Sequence, residues 1–187
     1  MEFNDLLMTR KSVRSYLSEP IPDDVLQGIL EAGRNAPSFQ NKQCWRFVVI
    51  NNREEIKRFS SNIGLIGKVN FFIKDAPIII VGCADPAKSG TVNKQSYYLV
   101  DTTIAFQQMM LAAWNYGIGS CWMAAFDEDK VKKFLSIPKN IRVVAISPFG
   151  YPKAKESIYG KVIKLFASSN FRQKIDEMVC YNKWTFE

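Results

Sequence analysis

Tyr97–Tyr116, YYLVDTTIAFQQMMLAAWNY, is the stretch whose reading decides the fold. Its apolar residues leave no wide polar face, so a helix here has to be enclosed by protein. Asp101 is its one formal charge, either a buried polar anchor or a group that a partner chain satisfies. From Thr102 to Phe126 there is no formal charge at all, a length that would cross a bilayer. Gln107, Gln108 and Asn115 lie inside that run, and Gly117 with Gly119 breaks it, so a core helix is expected rather than a membrane span. A helix covered on all sides in a chain of 187 residues also points to a second subunit over one face.

Outward from this helix the pattern alternates. Pro77-Ile78-Ile79-Ile80-Val81-Gly82-Cys83 reads as a strand buried on both faces, and Phe47–Ile50 as another. Ile141–Ile146 predicts a third, ending in Pro148-Phe149-Gly150. Helices are expected over Phe3–Thr9, Glu54–Phe59 and Asp127–Leu135, the last with Asp127 as N-cap. Another starts at Pro22-Asp23-Asp24, with proline at the first helical position and carboxylates at the positive end of the dipole. Val25, Leu26, Ile29 and Leu30 form its apolar stripe, and Gly33 sits near its end. Pro37–Gln43 is a polar loop. A Rossmann sheet is disfavoured, because Gly117-Ile118-Gly119 lacks the third glycine and no G-x-x-x-x-G-K-[ST] occurs. The expectation is one α+β domain over residues 1–187, a mixed sheet flanked by helices.

Composition narrows the chemistry. The net charge of +7 favours anionic ligands, whether a phosphorylated cofactor, nucleic acid or an acidic membrane. The basic residues are scattered rather than clustered, which argues against a nucleic-acid tail. There is no histidine, which removes the Ser-His-Asp triad, Cys-His activation and H-E-x-x-H metal sites. Cys44, Cys83, Cys121 and Cys180 lie far apart without a C-x-x-C, so no zinc ribbon or iron–sulfur cluster is expected. No signal peptide is read at the N-terminus, and reduced thiols suit a cytoplasmic protein.

The segment Arg10-Lys11-Ser12-Val13-Arg14-Ser15-Tyr16 carries the sharpest functional signal. In an extended backbone Arg10, Ser12 and Arg14 share one side. Two guanidinium forks and a hydroxyl then form a compact donor set matched to phosphate oxygens. The alternative is a solvated basic turn.

With three further segments, this one resembles the FMN-dependent nitroreductase family. Ala36-Pro37-Ser38-Phe39-Gln40-Asn41-Lys42-Gln43-Cys44-Trp45-Arg46-Phe47 is similar to that family's A-P-S-x-x-N-x-Q-P-W-x-F loop. Tyr98 through Trp122 resembles its central helix and following strand, and Arg172 with Val179–Trp184 its C-terminal tail. The resemblance implies a mostly antiparallel sheet and an intertwined homodimer. It implies that Arg10, Ser12 and Arg14, with Lys11 adjacent, hold the flavin phosphate together with Arg172. Pro37, Ser38, Phe39 and Asn41 match the loop that reaches the flavin from the partner subunit. Trp122, Met123, Ala124 and Ala125 match the segment along the ring, with an amide near N5, and Asn70 matches a polar contact to the pyrimidine edge. The implied activity is hydride transfer from NAD(P)H through FMN to a nitroaromatic, quinone or similar electron-poor acceptor. A flavin-fragmenting or dehalogenating branch is the alternative within the family, and a non-enzymatic nucleic-acid-binding module the alternative outside it.

Three departures from the family pattern stand out. Cys44 replaces the usual loop proline, implying a looser or differently turned loop. Ala124-Ala125 replaces a pair in which glycine or a carboxylate is frequent. Lys153–Phe171 is a long link in which Ile158, Tyr159, Val162, Ile163, Leu165 and Phe166 keep helical spacing, read as dimer packing or as a lid.

Overall fold

The computed structural model describes residues 1–63, 66–154 and 171–186, and for 66–70 the backbone alone. Two units are distinguished, Met1–Lys155 and Glu156–Glu187. In the first, helices α1 (Phe3–Thr9) and α2 (Asp23–Arg34) precede strand β1 (Trp45–Ile50) and α3 (Arg53–Asn62). A 3₁₀ segment, Ile66–Asp75, leads into β2 (Ile78–Ala84). The hairpin β3 (Thr91–Val92) and β4 (Gln95–Ser96) opens onto α4 (Tyr97–Asn115), followed by β5 (Gly119–Ser120), α5 (Glu128–Leu135) and β6 (Arg142–Gly150).

Among the described residues the main sheet runs β1-β2-β6-β5, every named pair antiparallel. Its mixed character comes from one parallel bridge, Ser12 to Ser120. β2 is buried along its whole length because both faces are covered. Ile78 and Ile80 face a cluster with Ile29, Phe106 and Met109 of α2 and α4. Ile79, Val81 and Cys83 alternate to the other side, against Ile56 and Phe59 of α3 and Val131 of α5. The result is three layers: α2 and α4, the sheet, then α3 and α5.

Local chemistry explains the element ends. The Asn52 side chain accepts the amides of Glu54 and Glu55 at the start of α3, and Asp127 accepts that of Lys130 at the start of α5. Some boundaries differ from the sequence reading. Pro22 occupies the N-cap of α2, one residue ahead of the helix. β1 starts at Trp45 rather than Phe47, because its ladder with β2 extends to Trp45–Ala84. β6 continues through Pro148, which β2 accommodates in register opposite Ile79. Proline brings no N–H, and on the neighbouring edge Ser147 Oγ accepts the Cys121 amide at 3.1 Å.

α4 is not enclosed by its own chain. Asp101, Thr102, Ala105, Phe106, Met109, Met110 and Ala113 are buried, whereas Leu99, Val100, Thr103 and Gln107 are exposed. Asp101 is satisfied within the chain. No described helix is long and apolar enough to cross a membrane. In the second unit, α6 (Ile175–Met178) starts where Glu177 accepts the Lys174 amide at 3.1 Å. Tyr181 and Trp184 are 80% and 77% exposed, and Trp184 meets Phe186 edge-on. Residues 155–170 of the long link, with Ile158, Tyr159, Val162, Ile163, Leu165 and Phe166, lie outside the described residues.

Two predictions follow from how α5 and β5 are attached. Burial alone would raise the Glu128 carboxyl, but hydrogen bonds from Arg142, the Val143 amide and Lys132 outweigh it and lower the pKa from 4.5 to about 2. Because the folded value is the lower one, this stabilisation is complete above pH 4.5 and is lost as pH falls toward about 2. It amounts to at most about 3 kcal/mol. Urea unfolding at pH 7 and pH 3 should show a smaller stability difference in Glu128→Gln than in the wild type. Gly119 sits where an added Cβ would come within 2.5 Å of Val13 Cγ2 and 2.8 Å of Val13 Cβ. Gly119→Ala should therefore push the Arg10–Tyr16 segment off β5 and lower stability by about 1–3 kcal/mol in the same assay.

Candidate functional site

The segment after α1 is extended, as its alternation predicts. Arg10 ends the helix, its amide still bonded to Leu6 O, and takes φ −56° and ψ 130°. The Val13 amide then donates to Ser120 O at 2.9 Å, laying the segment beside β5. Val13 and Tyr16 are buried, the Tyr16 hydroxyl donating to Val13 O. Farther along, Leu17 N donates to Tyr151 O and Lys153 N to Ser15 O. Both ends of the segment are thus anchored by backbone bonds, and Arg10, Ser12 and Arg14 are left half-buried. Lys11 is exposed.

Cys121 joins this group. Burial pushes its thiol up, while the Arg14 guanidinium, a hydrogen bond from Ser12 and the Arg10 guanidinium pull it back in part. Tyr16 is raised well above its ordinary value by burial and by Cys121, against a smaller opposing pull from Arg14. These interactions place Arg10, Ser12, Arg14, Tyr16 and Cys121 in one neighbourhood.

Charge balance distinguishes the two arginines. Arg34, Arg58 and Arg142 pair with Glu31, Glu55 and Glu128. Arg46, Arg53 and Arg172 donate to backbone carbonyls. Among the described residues, neither Arg10 nor Arg14 has a carboxylate at ion-pair distance or a carbonyl to donate to. Two half-buried guanidiniums beside a hydroxyl, with no counter-charge, make a donor set for a dianion such as a phosphate monoester.

The loop at Pro37–Gln43 is wired to α4. Asp101, 1% exposed, accepts the Phe39 amide on Oδ1 at 2.8 Å and the Cys44 thiol on Oδ2 at 3.7 Å. Ser38 Oγ accepts the Gln43 amide at 3.0 Å, and Gln43 Nε2 donates to Asn41 Oδ1 at 2.9 Å. Gln40, Asn41 and Gln43 have φ of 50°, 54° and 47°. Phe39 stacks on Tyr97, ring centroids 4.6 Å apart, and Lys42 Nζ lies over the same ring. With Cys44 in place of proline the loop is tied down rather than loose. Pro37 and Asn41 are exposed, Ser38 and Phe39 half-buried.

After β5 the chain passes Trp122, whose ring meets Phe106 edge-on at 5.3 Å. Met123 is buried and exchanges both backbone hydrogen bonds with Ile146, at 2.9 and 3.1 Å. Its amide is therefore engaged in the sheet. Ala124 is exposed and Ala125 half-buried. Asn70 lies on the 3₁₀ segment, its side chain outside the described part. Arg172 belongs to the second unit, where its Nη1 donates to Phe171 O at 2.7 Å.

Sequence reasoning missed two contributors, Gly119 and Cys121, and read Asp101 as an anchor without its target. Gly117-Ile118-Gly119 marks a break after the helix and lacks the dinucleotide fingerprint, yet Gly119 also makes room for Val13. Cys121 carried no sequence signal beyond its place beside Gly119-Ser120. Asp101 did carry one, a lone charge in an apolar helix, but its target loop is far away in sequence.

The description "Nitroreductase family" matches residues 7–64 and 67–151 of this chain. A protein of Archaeoglobus fulgidus, named for NADH dehydrogenase and NAD(P)H nitroreductase, is 34% identical over 160 residues, which cover 82% of this chain and 87% of the relative. The crystal structure of a nitroreductase family protein from Clostridium novyi NT superimposes with a TM-score of 0.77 at 36% identity, covering 82% of this chain and 87% of that one. An FMN-dependent nitroreductase from Clostridium difficile R20291 has the same fold at 24% identity and a TM-score of 0.77, covering 97% of this chain and 100% of that one. With the family match running from the first helix to the last strand, this chain belongs to the nitroreductase family.

Proposed function

We propose that the chain is an FMN-dependent oxidoreductase that takes a hydride from NAD(P)H and delivers it to a small electron-poor acceptor, a nitroaromatic or a quinone. The observation that carries this reading is the uncompensated pair Arg10 and Arg14 flanking Ser12 in an extended segment. The donor set fits the phosphate end of FMN, which carries close to two negative charges at neutral pH. FMN, when bound, supplies the hydride-carrying chemistry, and the chain binds and orients it. Arg10, Ser12 and Arg14 hold the phosphate, with Lys11 beside them. Trp122 through Ala125 lie along the ring, with an amide of this segment near N5, the Met123 amide being engaged with Ile146. Asn70 contributes a polar contact at the pyrimidine edge.

The working form is a homodimer in which Pro37, Ser38, Phe39 and Asn41 of one subunit reach the flavin of the other. The exposed side of α4, with Leu99 and Val100, supports this, as do Leu7 and Met8 of α1 and Tyr181 and Trp184 near the C-terminus. Obligate interfaces of this kind commonly exceed 2,000 Å². Four unpaired thiols fit a reducing, cytoplasmic compartment.

Freshly purified protein should be yellow, with the absorbance bands of oxidised flavin, and a colourless protein that takes up no FMN would end this reading. Arg10→Ala should weaken FMN binding about 10- to 100-fold, the loss of one or more charged hydrogen bonds. Riboflavin, which lacks the phosphate, should bind both proteins nearly equally. A titration of apo-protein with each flavin separates the cases, since equal losses would mean unfolding rather than a lost phosphate contact. Sedimentation of the flavin-bound protein should give one species near twice 21.4 kDa, and a flavin-retaining monomer would rule out the shared site.

A further inference from the structure

We propose that Asp101 is the positioning residue of the flavin-facing loop, its carboxylate gripping both ends of the Phe39–Cys44 segment so that Ser38 and Asn41 are held ready for the partner subunit's flavin. The assignment rests on the flavin reading above. Its basis is geometric. Asp101 lies one turn into α4, and its two oxygens receive the Phe39 amide at 2.8 Å and the Cys44 thiol at 3.7 Å.

Energetics argue against a purely structural carboxylate. A buried charge with no cation is unfavourable unless donors replace its lost hydration. Among the described residues Asp101 has no ion-pair partner, and the donors it receives come from the loop. An apolar side chain at this position would fill the core without that penalty. What the carboxylate adds is a fixed point for a segment that would otherwise relax. Three of the loop's six residues from Phe39 to Cys44, Gln40, Asn41 and Gln43, have positive φ, a conformation that non-glycine residues keep only when their surroundings impose it.

The surroundings complete the clamp. Phe39 is held against Tyr97, one helical turn before Asp101 on the same helix. Gly90 lets its ring approach, since a Cβ there would fall 2.4 Å from Phe39 Cε1. Across the loop, the Ser38–Gln43 and Gln43–Asn41 hydrogen bonds tie its polar side chains to the same frame. Cys44 matters because its thiol supplies the second donor to Asp101, which a proline at that position lacks.

The test compares wild type, Asp101→Asn and Asp101→Ala as full-length protein. Hydrogen exchange reads the loop without reference to flavin. In Asp101→Ala the Phe39 and Gln43 amides should lose about 10- to 100-fold protection, while the amides of β2 and β6 keep theirs. Asp101→Asn retains an oxygen acceptor without the charge, so it should lose less, about 3- to 10-fold. Should the alanine variant fail to fold, the asparagine variant alone decides. Titrations then read the role. Both FMN and riboflavin should bind about 10-fold more weakly to Asp101→Ala and recover most of that in Asp101→Asn, a pattern unlike the FMN-selective loss expected for Arg10→Ala. Unchanged Phe39 exchange, exchange raised evenly across the sheet, or unaltered flavin affinities would each overturn the assignment. A wild-type protein that binds no flavin while the Phe39 exchange still responds to Asp101 would overturn the flavin reading and with it the role, leaving only the loop anchor.

Discussion

Burial of β2 on both faces is the constraint from which the remaining architecture follows. A strand of Ile78-Ile79-Ile80-Val81 cannot present either side to water, so helices must pack on each. α4 takes one face and α3 with α5 the other, and the two clusters draw alternate residues of the same strand. β6 inherits the same burial as the neighbour of β2, and β5 follows as the sheet's last strand. The Arg10–Tyr16 segment then adds itself to β5 through a parallel bridge. The candidate site therefore sits at the far edge of a rigid sheet, where extended backbone can be recruited without disturbing the core.

That position also explains why the donor set stays charged and available. A guanidinium in a fully dry interior would demand a carboxylate, and one in open water would be hydrated and would contribute little selectivity. Arg10 and Arg14 are half-buried, with neither remedy within the described residues. Two such forks beside a hydroxyl match the oxygens of a dianion better than one isolated surface arginine does. α1 and β5 set the separation of the two forks by covalent geometry and backbone hydrogen bonds rather than by side-chain contacts.

Much of this was legible in the sequence because the informative interactions are local. The Ile78–Val81 run, the Asp127 cap and the alternation in Arg10–Arg14 each depend on neighbours a few residues away, and each appears in the structure as read. What escaped depends on pairs distant along the chain. The Phe39–Asp101 bond spans 62 residues, and the Gly119–Val13 approach is equally nonlocal. β1 and β6 were read short for a related reason: ladder partners, not propensity, decide how far a strand runs. A helix that is apolar all round tells how much cover it needs but not which chain provides it, and one side of α4, with Leu99 and Val100, is exposed within the described chain, consistent with the expected cover from a second subunit.

The ionisable groups beside the arginines have a shared property with a chemical consequence. Tyr16 is raised well above its ordinary value and Cys121 is raised as well, burial being the leading cause in both. Both therefore stay neutral at physiological pH, and the chain has no histidine to titrate in that range. Any pH dependence of phosphate binding near neutrality has to come from the ligand, whose second ionisation lies near pH 6. On the proposed reading, the affinity for a phosphate monoester therefore follows the ligand's second ionisation rather than a titration of the protein near neutrality.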